Sequence, residues 1–125
     1  MELRRIALYV SRVRVGFGLV MMASPRVAFG PIYGGGVSEP AAAAGFRMMG
    51  AREAALGAGA AIAVAERDGG ANWLSMIAVA DGLDAVINLA SRRLGWRGKV
   101  LGILAVGSAG AHLVLAKKIA SETAA

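Results

Sequence analysis

The sequence predicts an all-α protein, a four-helix transmembrane bundle that forms a single integral-membrane domain over residues 1–125. The chain is 57% hydrophobic and 18% charged, with a mean hydropathy of +0.59. A soluble domain of this size has too much surface for its volume to hide so many apolar side chains. The charges cluster between apolar runs of roughly 20 residues, the length of helix that crosses the hydrocarbon core of a bilayer.

Proline, glycine and charged residues divide the first half of the chain. Helix one is predicted over residues 3–23 and ends before Pro25, because proline disfavours helix in the residue that precedes it. Residues 25–40 contain three prolines and three consecutive glycines, which predicts a Gly/Pro-rich loop between helices one and two. Helix two is predicted over residues 41–65.

The second half is predicted to hold two more helices. A polar turn at residues 66–70 leads into helix three, residues 71–91, with Asn72 as its N-cap. Helix four covers residues 100–116, and residues 119–125 are predicted to be a frayed tail. The glycines are interpreted as helix-packing residues: Gly45 and Gly59 recur at intervals of seven with Arg52, and Gly107 and Ala111 have small-xxx-small spacing.

Ionisable residues inside the predicted spans are the main candidates for a site. Asp81, Asp84 and Asn88 fall on one face of helix three, and each charge facing lipid would cost on the order of 2.5 to 3.5 kcal/mol. They are therefore predicted to face the bundle interior. Helix two offers Arg52 and Glu53 at a comparable depth, and a guanidinium-to-carboxylate pair of Arg52 with Asp81 or Asp84 is expected.

The predicted interior cluster has further, secondary members. The remaining acids are expected to pair with Arg47 and with either Arg12 or Arg14. Ser108 and His112 on helix four are expected to lie close to them. The cluster is interpreted either as a structural ion network or as a polar cavity for a substrate, ion or proton. No metal site is predicted, because no local ligand spacing supports one. No cofactor is predicted, and the absence of cysteine excludes thiolate chemistry.

The formal net charge of +6 is assigned to lipid headgroups rather than to nucleic acid, since no nucleic-acid motif accompanies it. The expected partners are the bilayer and either a second copy of the chain or a larger membrane complex. Five Lys or Arg residues flank the predicted helices at each end of the bundle. Counting Arg12 and Arg14 with the N-terminal flank predicts cytoplasmic termini, in what we expect to be a bacterial cytoplasmic membrane.

Two motifs carry a resemblance to a known family. The first is GFRMMGAREAALG at residues 45–57, and the second is VADGLDAV at residues 79–86; an arginine-bearing first helix ending in Ser24-Pro25-Arg26 precedes them. This succession resembles a family of small four-helix bacterial membrane proteins known only as a domain of unknown function. Glu53 stands where that family usually has Asp. The resemblance implies a membrane location and no particular activity.

Three functions are consistent with the sequence. The first is a non-catalytic accessory or assembly subunit of a membrane complex, favoured by the small size, short loops and lack of any soluble active-site motif. The second is a homo-oligomeric transporter or channel whose path is lined by Arg52, Asp81 and Asp84. The third is an intramembrane acid–base enzyme acting on a lipophilic substrate. Enzymatic activity is left open, with the first function preferred.

Overall fold

The computed structural model describes residues 2–124, and these residues form helices and short turns with no strand. The all-α prediction is confirmed. There are five α-helices, α1 (Glu2–Ala23), α2 (Pro25–Tyr33), α3 (Pro40–Glu66), α4 (Gly70–Ala90) and α5 (Gly95–Ala124), and two short 3-10 helices, Gly34–Ser38 and Arg92–Leu94.

Three of the long helices are apolar enough and long enough to cross a membrane. They are α1, α4 and the stretch 92–123 that contains most of α5. Helix α3 has 27 residues, more than the roughly 20 that a bilayer needs, but it carries Arg47, Arg52 and Glu53 and does not belong to this group.

The prediction of a loop at residues 25–40 is wrong, because most of this segment is helical. Ser24 caps α2 by accepting a hydrogen bond from the Val27 N–H, and Pro25 occupies the first turn, where its missing N–H has no helical partner to lose. The dipeptide that ends α1 therefore starts α2. Pro31 lies inside α2, which ends two residues later at Tyr33 before Gly34 at φ 64°.

Two helix ends also differ from the sequence prediction. Asn72 is not an N-cap: α4 begins at Gly70, and Gly69 precedes it with φ 68°, a backbone conformation that suits glycine. Helix α5 begins at Gly95 and continues to Ala124, beyond the predicted 100–116. Its last turns are held in place because Ile119 is buried, with 2% of its surface exposed.

The long helices form two closely packed pairs, α1 with α3 and α4 with α5. Glycine permits this approach. A Cβ at Gly18 would lie 2.6 Å from the Gly50 carbonyl oxygen, and one at Gly57 would lie 2.7 Å from the Ser11 carbonyl oxygen. In the second pair, a Cβ at Gly98 would lie 2.8 Å from the Asn88 carbonyl oxygen.

These are not the glycines that the spacing singled out. A Cβ at Gly45, Gly107 or Gly110 would meet no atom within 4 Å, whereas Gly59 lies against the ring of Trp73. The prediction that glycine serves helix packing holds for Gly18, Gly50, Gly57 and Gly98, whereas Gly45 and Gly107 make no such contact among the described residues. Helix periodicity fixes which residues share a face and does not say which face meets a neighbour.

The two pairs join through an apolar core near both termini. Its buried members come from all four long helices and are Ala7, Ala60, Val64, Leu74, Ile77, Ala116 and Ile119. At the same end, Arg4 forms an ion pair of 3.6 Å with Glu122. The two described ends of the chain and the α3–α4 turn therefore share one end of the molecule, and α2 lies at the other.

A second apolar cluster surrounds α2. Phe29 stacks on Phe46 of α3 with ring centroids 4.5 Å apart, and it packs with the buried Met21 and Val37. Tyr33 joins the same group at 5.5 Å from the Phe46 ring. Helix α2 is thus packed onto the α1–α3 pair rather than extended into solvent.

Candidate functional site

Arg14 of α1 is the centre of a polar cluster that connects the four long helices. Its guanidinium donates through Nη1 to Glu53 Oε2 of α3. Through Nη2 it donates to Asp81 Oδ2 of α4 at 2.5 Å and to Ser108 Oγ of α5 at 3.3 Å. The Arg14 side chain is only 9% exposed, so one buried cation holds groups from three other helices.

Arg52 of α3 makes the second set of ion pairs. It faces Asp84 of α4 with two nitrogens, Nη1 to Oδ1 at 3.1 Å and Nη2 to Oδ2, the fork geometry that suits a guanidinium and a carboxylate. Its Nη2 also donates to Glu53 Oε1 at 3.1 Å. Glu53 therefore bridges the two arginines, one on each of its oxygens. Of the two pairings expected for Arg52, the structure forms the one with Asp84.

Ser108 and His112 extend the cluster along α5. The Ser108 hydroxyl donates to Asp81 Oδ2 at 2.6 Å. His112 Nδ1 lies 2.8 Å from the Ser108 carbonyl oxygen, one turn earlier. A carbonyl can only accept, so Nδ1 carries the proton in this contact. The other ring nitrogen, Nε2, is buried and has no hydrogen-bond partner among the described residues.

Three of the predicted cluster members do not pair with its charged side chains, although one of them, Asn88, lies beside Asp84. Arg12 is exposed on the outer surface of α1. Arg47 donates to the Met22 carbonyl oxygen at 3.2 Å in an exposed position. Asn88 uses its amide to donate to the Asp84 carbonyl oxygen at 2.8 Å, within its own helix, and so makes no hydrogen bond to a carboxylate.

Arg14 was predicted only as an alternative to Arg12, although the sequence contained a signal that favoured it. Ala7, Ser11, Gly18 and Met21 are the buried residues of α1, and Arg14 falls between them at intervals of three or four. That spacing puts one arginine on the face of small residues that approaches α3. Arg12 lies two residues away, on the opposite face.

The cluster carries more negative than positive formal charge. It contains three carboxylates, Glu53, Asp81 and Asp84, and two guanidiniums, Arg14 and Arg52. Carboxylate oxygens from the three acids lie within 4.8 Å of one another, which is close enough to surround one ion. However, the two arginines already donate to oxygens of all three acids, and their charge opposes a divalent cation in the same place.

A cavity of about 400 Å³ opens between the two helix pairs beside the cluster. Glu53, Asp81, Ser108 and His112 are among the polar residues that line it. Apolar side chains from α1, α2, α3 and α5 form the remaining wall, which includes Phe17, Phe29, Tyr33, Phe46, Leu101 and Leu104. The cavity is therefore polar on one side and apolar and aromatic on the other.

Comparisons of the chain with protein-family models, with curated proteins and with solved structures found no match. The class of the protein is therefore defined by its own features. It is an all-helical chain with three helices apolar enough to cross a membrane and with buried ion pairs between its helices. These features are consistent with a small membrane protein.

Proposed function

We propose that this chain is an integral membrane protein in which α1, α3, α4 and α5 each cross the bilayer as a four-helix bundle. The charges of α3 are the main obstacle to this arrangement, and ion pairs compensate two of the three. The third, Arg47, is exposed near the start of the helix, where a long side chain can extend to the lipid headgroups. Arg52 and Glu53 pair with each other and with Asp84 and Arg14, so each charge has a partner of opposite sign. The outer surfaces carry exposed apolar side chains such as Val79, Leu83 and Ile103, which a bilayer would cover.

The role that we propose is that of a non-catalytic accessory or assembly subunit of a membrane complex, held in shape by its ion network. The observation that carries this proposal is the position of Arg14, which joins Glu53, Asp81 and Ser108 from three other helices. A buried cation with several partners favours one register of the helices, because a register that separates it from those partners leaves buried charges unpaired.

The resemblance to small four-helix bacterial membrane proteins is part of the same proposal. Both motifs that carry it contribute to one cluster, Arg52 and Glu53 from the first and Asp81 and Asp84 from the second. Gly50 and Gly57, also in the first motif, lie where α1 and α3 approach most closely. Each motif thus has a physical role in holding helices together. We place the protein in a bacterial cytoplasmic membrane with cytoplasmic termini.

The transmembrane arrangement can be tested by labelling introduced cysteines, since the chain has none of its own. Single variants Asp68→Cys and Ser121→Cys belong to one end of the molecule, and Ser38→Cys and Arg93→Cys belong to the other. In sealed vesicles, a membrane-impermeant maleimide is expected to label one pair and spare the other until detergent is added. Equal labelling of all four would contradict the arrangement, and the labelled pair gives the orientation.

The subunit role requires a partner. A tagged copy extracted from its native membrane in mild detergent is expected to carry a second protein in fixed stoichiometry, measured by native mass spectrometry. An Arg12→Gln variant is the matched control for Arg14→Gln, because it removes an exposed arginine from the same helix. We expect the partner to be retained in the first and lost in the second. Recovery of the chain alone or only with itself would contradict the proposal.

A homo-oligomeric transporter or channel is the second candidate, and the cavity between the helix pairs favours it. The cavity reaches Asp81 and His112 near the middle of α4 and α5, so a solute could meet charged groups well inside the bundle. The open small-residue surface at Gly107 and Gly110 of α5 is suited to contact between copies. Native mass spectrometry separates this candidate from the first through the identity of the associated chain.

A further inference from the structure

The cavity between the helix pairs is lined by two residues that each have an acceptor atom without a hydrogen bond from the described residues. Among the described residues, the hydrogen bonds that Asp81 accepts all go to Oδ2, from Arg14 and Ser108, and Oδ1 receives none. His112 is 3% exposed, and its buried Nε2 has no hydrogen-bond partner in the described part of the chain. The two residues are neighbours, with 3.8 Å between His112 Nδ1 and Asp81 Oδ2, and both line the cavity.

The net formal charge of the cluster also favours a ligand that donates hydrogen bonds. Three carboxylates face two guanidiniums, so by formal charge one carboxylate is left without a cation among the described residues. Uncompensated charge is costly where water is excluded. A bound ligand with one positive charge and several hydrogen-bond donors would neutralise the excess negative charge and donate to the acceptors.

A proton is the simplest alternative cation, but it balances the charge without satisfying the hydrogen-bonding groups. Placed on a carboxylate, it balances the charge but leaves His112 Nε2 without a donor. Placed on Nε2, it converts a buried acceptor into a buried donor that again has no partner in the described chain. An ammonium group has two or three N–H donors and can serve more than one acceptor while it supplies the charge.

The opposite wall of the cavity restricts the rest of the ligand. Phe17 of α1, Phe29 of α2 and Leu104 of α5 face the same space, and this wall offers apolar and aromatic contact. A cavity of about 400 Å³ falls within the range of roughly 300 to 1,000 Å³ that small-molecule sites occupy. The ligand that matches has a compact apolar body with a single polar end.

We propose that the cavity binds a small amphipathic monocation, an amine whose ammonium group lies at Asp81 and His112 and whose aromatic or branched apolar body lies against the α1, α2 and α5 wall. The inference rests on the transmembrane arrangement proposed above. It extends the transporter candidate by giving the chemical class of its solute, and it is equally compatible with a subunit that holds such a ligand.

The first experiment compares three probes that share one body and differ in charge: 4-phenylbutylamine, 4-phenylbutanol and 4-phenylbutyrate. Binding is measured by isothermal titration calorimetry on the protein in lipid nanodiscs, with empty nanodiscs subtracted to remove partition into lipid. A charge-assisted hydrogen bond is expected to make the amine bind about tenfold or more tightly than the alcohol. The carboxylate is expected to bind most weakly. Equal affinities for amine and alcohol, or tighter binding of the carboxylate, would overturn the proposal.

The second experiment places the site within the molecule. Ala105→Phe fills the cavity from α5, and Val106→Phe adds the same ring one residue later on the exposed surface of that helix. We expect the first variant to abolish amine binding and the second to retain it. Equal behaviour of the two variants would overturn the assignment of the cavity.

A third variant tests the polar end without removing an arginine–carboxylate ion pair. His112→Leu is expected to weaken amine binding about tenfold and to leave alcohol binding nearly unchanged, because it removes the imidazole acceptor and keeps the apolar wall. An equal loss for both probes, or none for either, would contradict the role of His112. The labelling pattern of the four cysteine variants is repeated in each case. Failed binding with an intact pattern overturns this inference alone, and a lost pattern in the unmodified protein overturns the transmembrane arrangement.

Discussion

Arg14 and Asp81 lie 67 residues apart in the chain, and a hydrogen bond of 2.5 Å joins Arg14 Nη2 to Asp81 Oδ2. This contact connects the α1–α3 pair to the α4–α5 pair. Within each pair, glycine lets the backbones come together. Between the pairs, a core near the termini and this ion network make the contact, and the space that they leave is the cavity. The same residues therefore hold the fold and shape the candidate site.

Loss of Arg14 should be among the most damaging single changes. Arg14→Gln leaves Glu53 and Asp81 with fewer donors in a buried place, and breaking a buried ion pair costs about 3 to 5 kcal/mol. The free energy of unfolding, measured by titrating SDS into mixed micelles, is expected to fall by that order. Arg12→Gln is the control, and its exposed position predicts a change within about 0.5 kcal/mol. Similar losses in both variants would show that the network does not stabilise the fold.

The Arg52–Asp84 pair should be coupled in a double-mutant cycle. Arg52→Gln, Asp84→Asn and the double variant are expected to give an interaction energy of about 0.5 to 3 kcal/mol, as for residues in direct contact. The comparison cycle uses Arg4→Gln and Glu122→Gln at the terminal end, where the ion pair has a single contact of 3.6 Å in place of two donating nitrogens. That pair is expected to contribute about 0 to 1 kcal/mol. Equal coupling energies in the two cycles would contradict the prediction.

Close helix contact should make Gly18 sensitive to a single added methyl group. In Gly18→Ala the new Cβ would lie 2.6 Å from the Gly50 carbonyl oxygen, and the helix backbones would have to separate. We expect clear destabilisation, on the scale of about 1 to 3 kcal/mol for overpacking. Gly16→Ala, two residues earlier, meets no atom within 4 Å and should be neutral or stabilising by up to about 1 kcal/mol. Thermal unfolding of both variants in one detergent decides the matter.

The C-terminal turns of α5 should contribute to stability, contrary to the frayed tail that the sequence predicted. Ile119→Ala removes a buried side chain from the core at the terminal end and should cost about 2 to 5 kcal/mol. Leu113→Ala on the same helix is the control, because Leu113 is 44% exposed. Unfolding midpoints that shift equally in the two variants would favour a tail without structural contribution.

The packing of α2 should be visible in the titration of Tyr33. Burial raises the pKa of the Tyr33 hydroxyl above its ordinary value of about 10, because the phenolate is disfavoured away from water. The folded pKa thus exceeds the unfolded one, so the contribution of Tyr33 to stability is complete below the unfolded pKa and is lost as the pH rises through the folded pKa.

Ultraviolet titration of a Tyr9→Phe variant, in which Tyr33 is the only tyrosine, should show the raised value. Adding Phe46→Ala, which removes a ring that packs on Tyr33, should bring it back towards 10. An ordinary value in the first variant would contradict the packed position of α2.

The sequence by itself determined the helices that have long apolar runs, because hydropathy and length are local properties of the chain. It also predicted that Arg52, Glu53, Asp81 and Asp84 would need partners of opposite charge, since the cost of an unpaired charge inside an apolar helix does not depend on the fold. The helical state of residues 25–33 was within reach of local rules too. Ser24 and Pro25 are as typical of a helix start as of a helix end.

Only the tertiary structure decided which cation meets which acid. Arg12 and Arg14 have the same chemistry, and one is buried while the other is exposed because the Gly18 face of α1 packs against α3. Tertiary structure likewise decided that Gly50, and not Gly45, packs against α1. It also decided that Arg52 pairs with Asp84 and not with Asp81. These choices depend on the rotation of each helix about its axis. Contacts with residues far away in the chain set that rotation. The small-residue spacing of α1 indicates one face, but only those contacts show that this face meets α3.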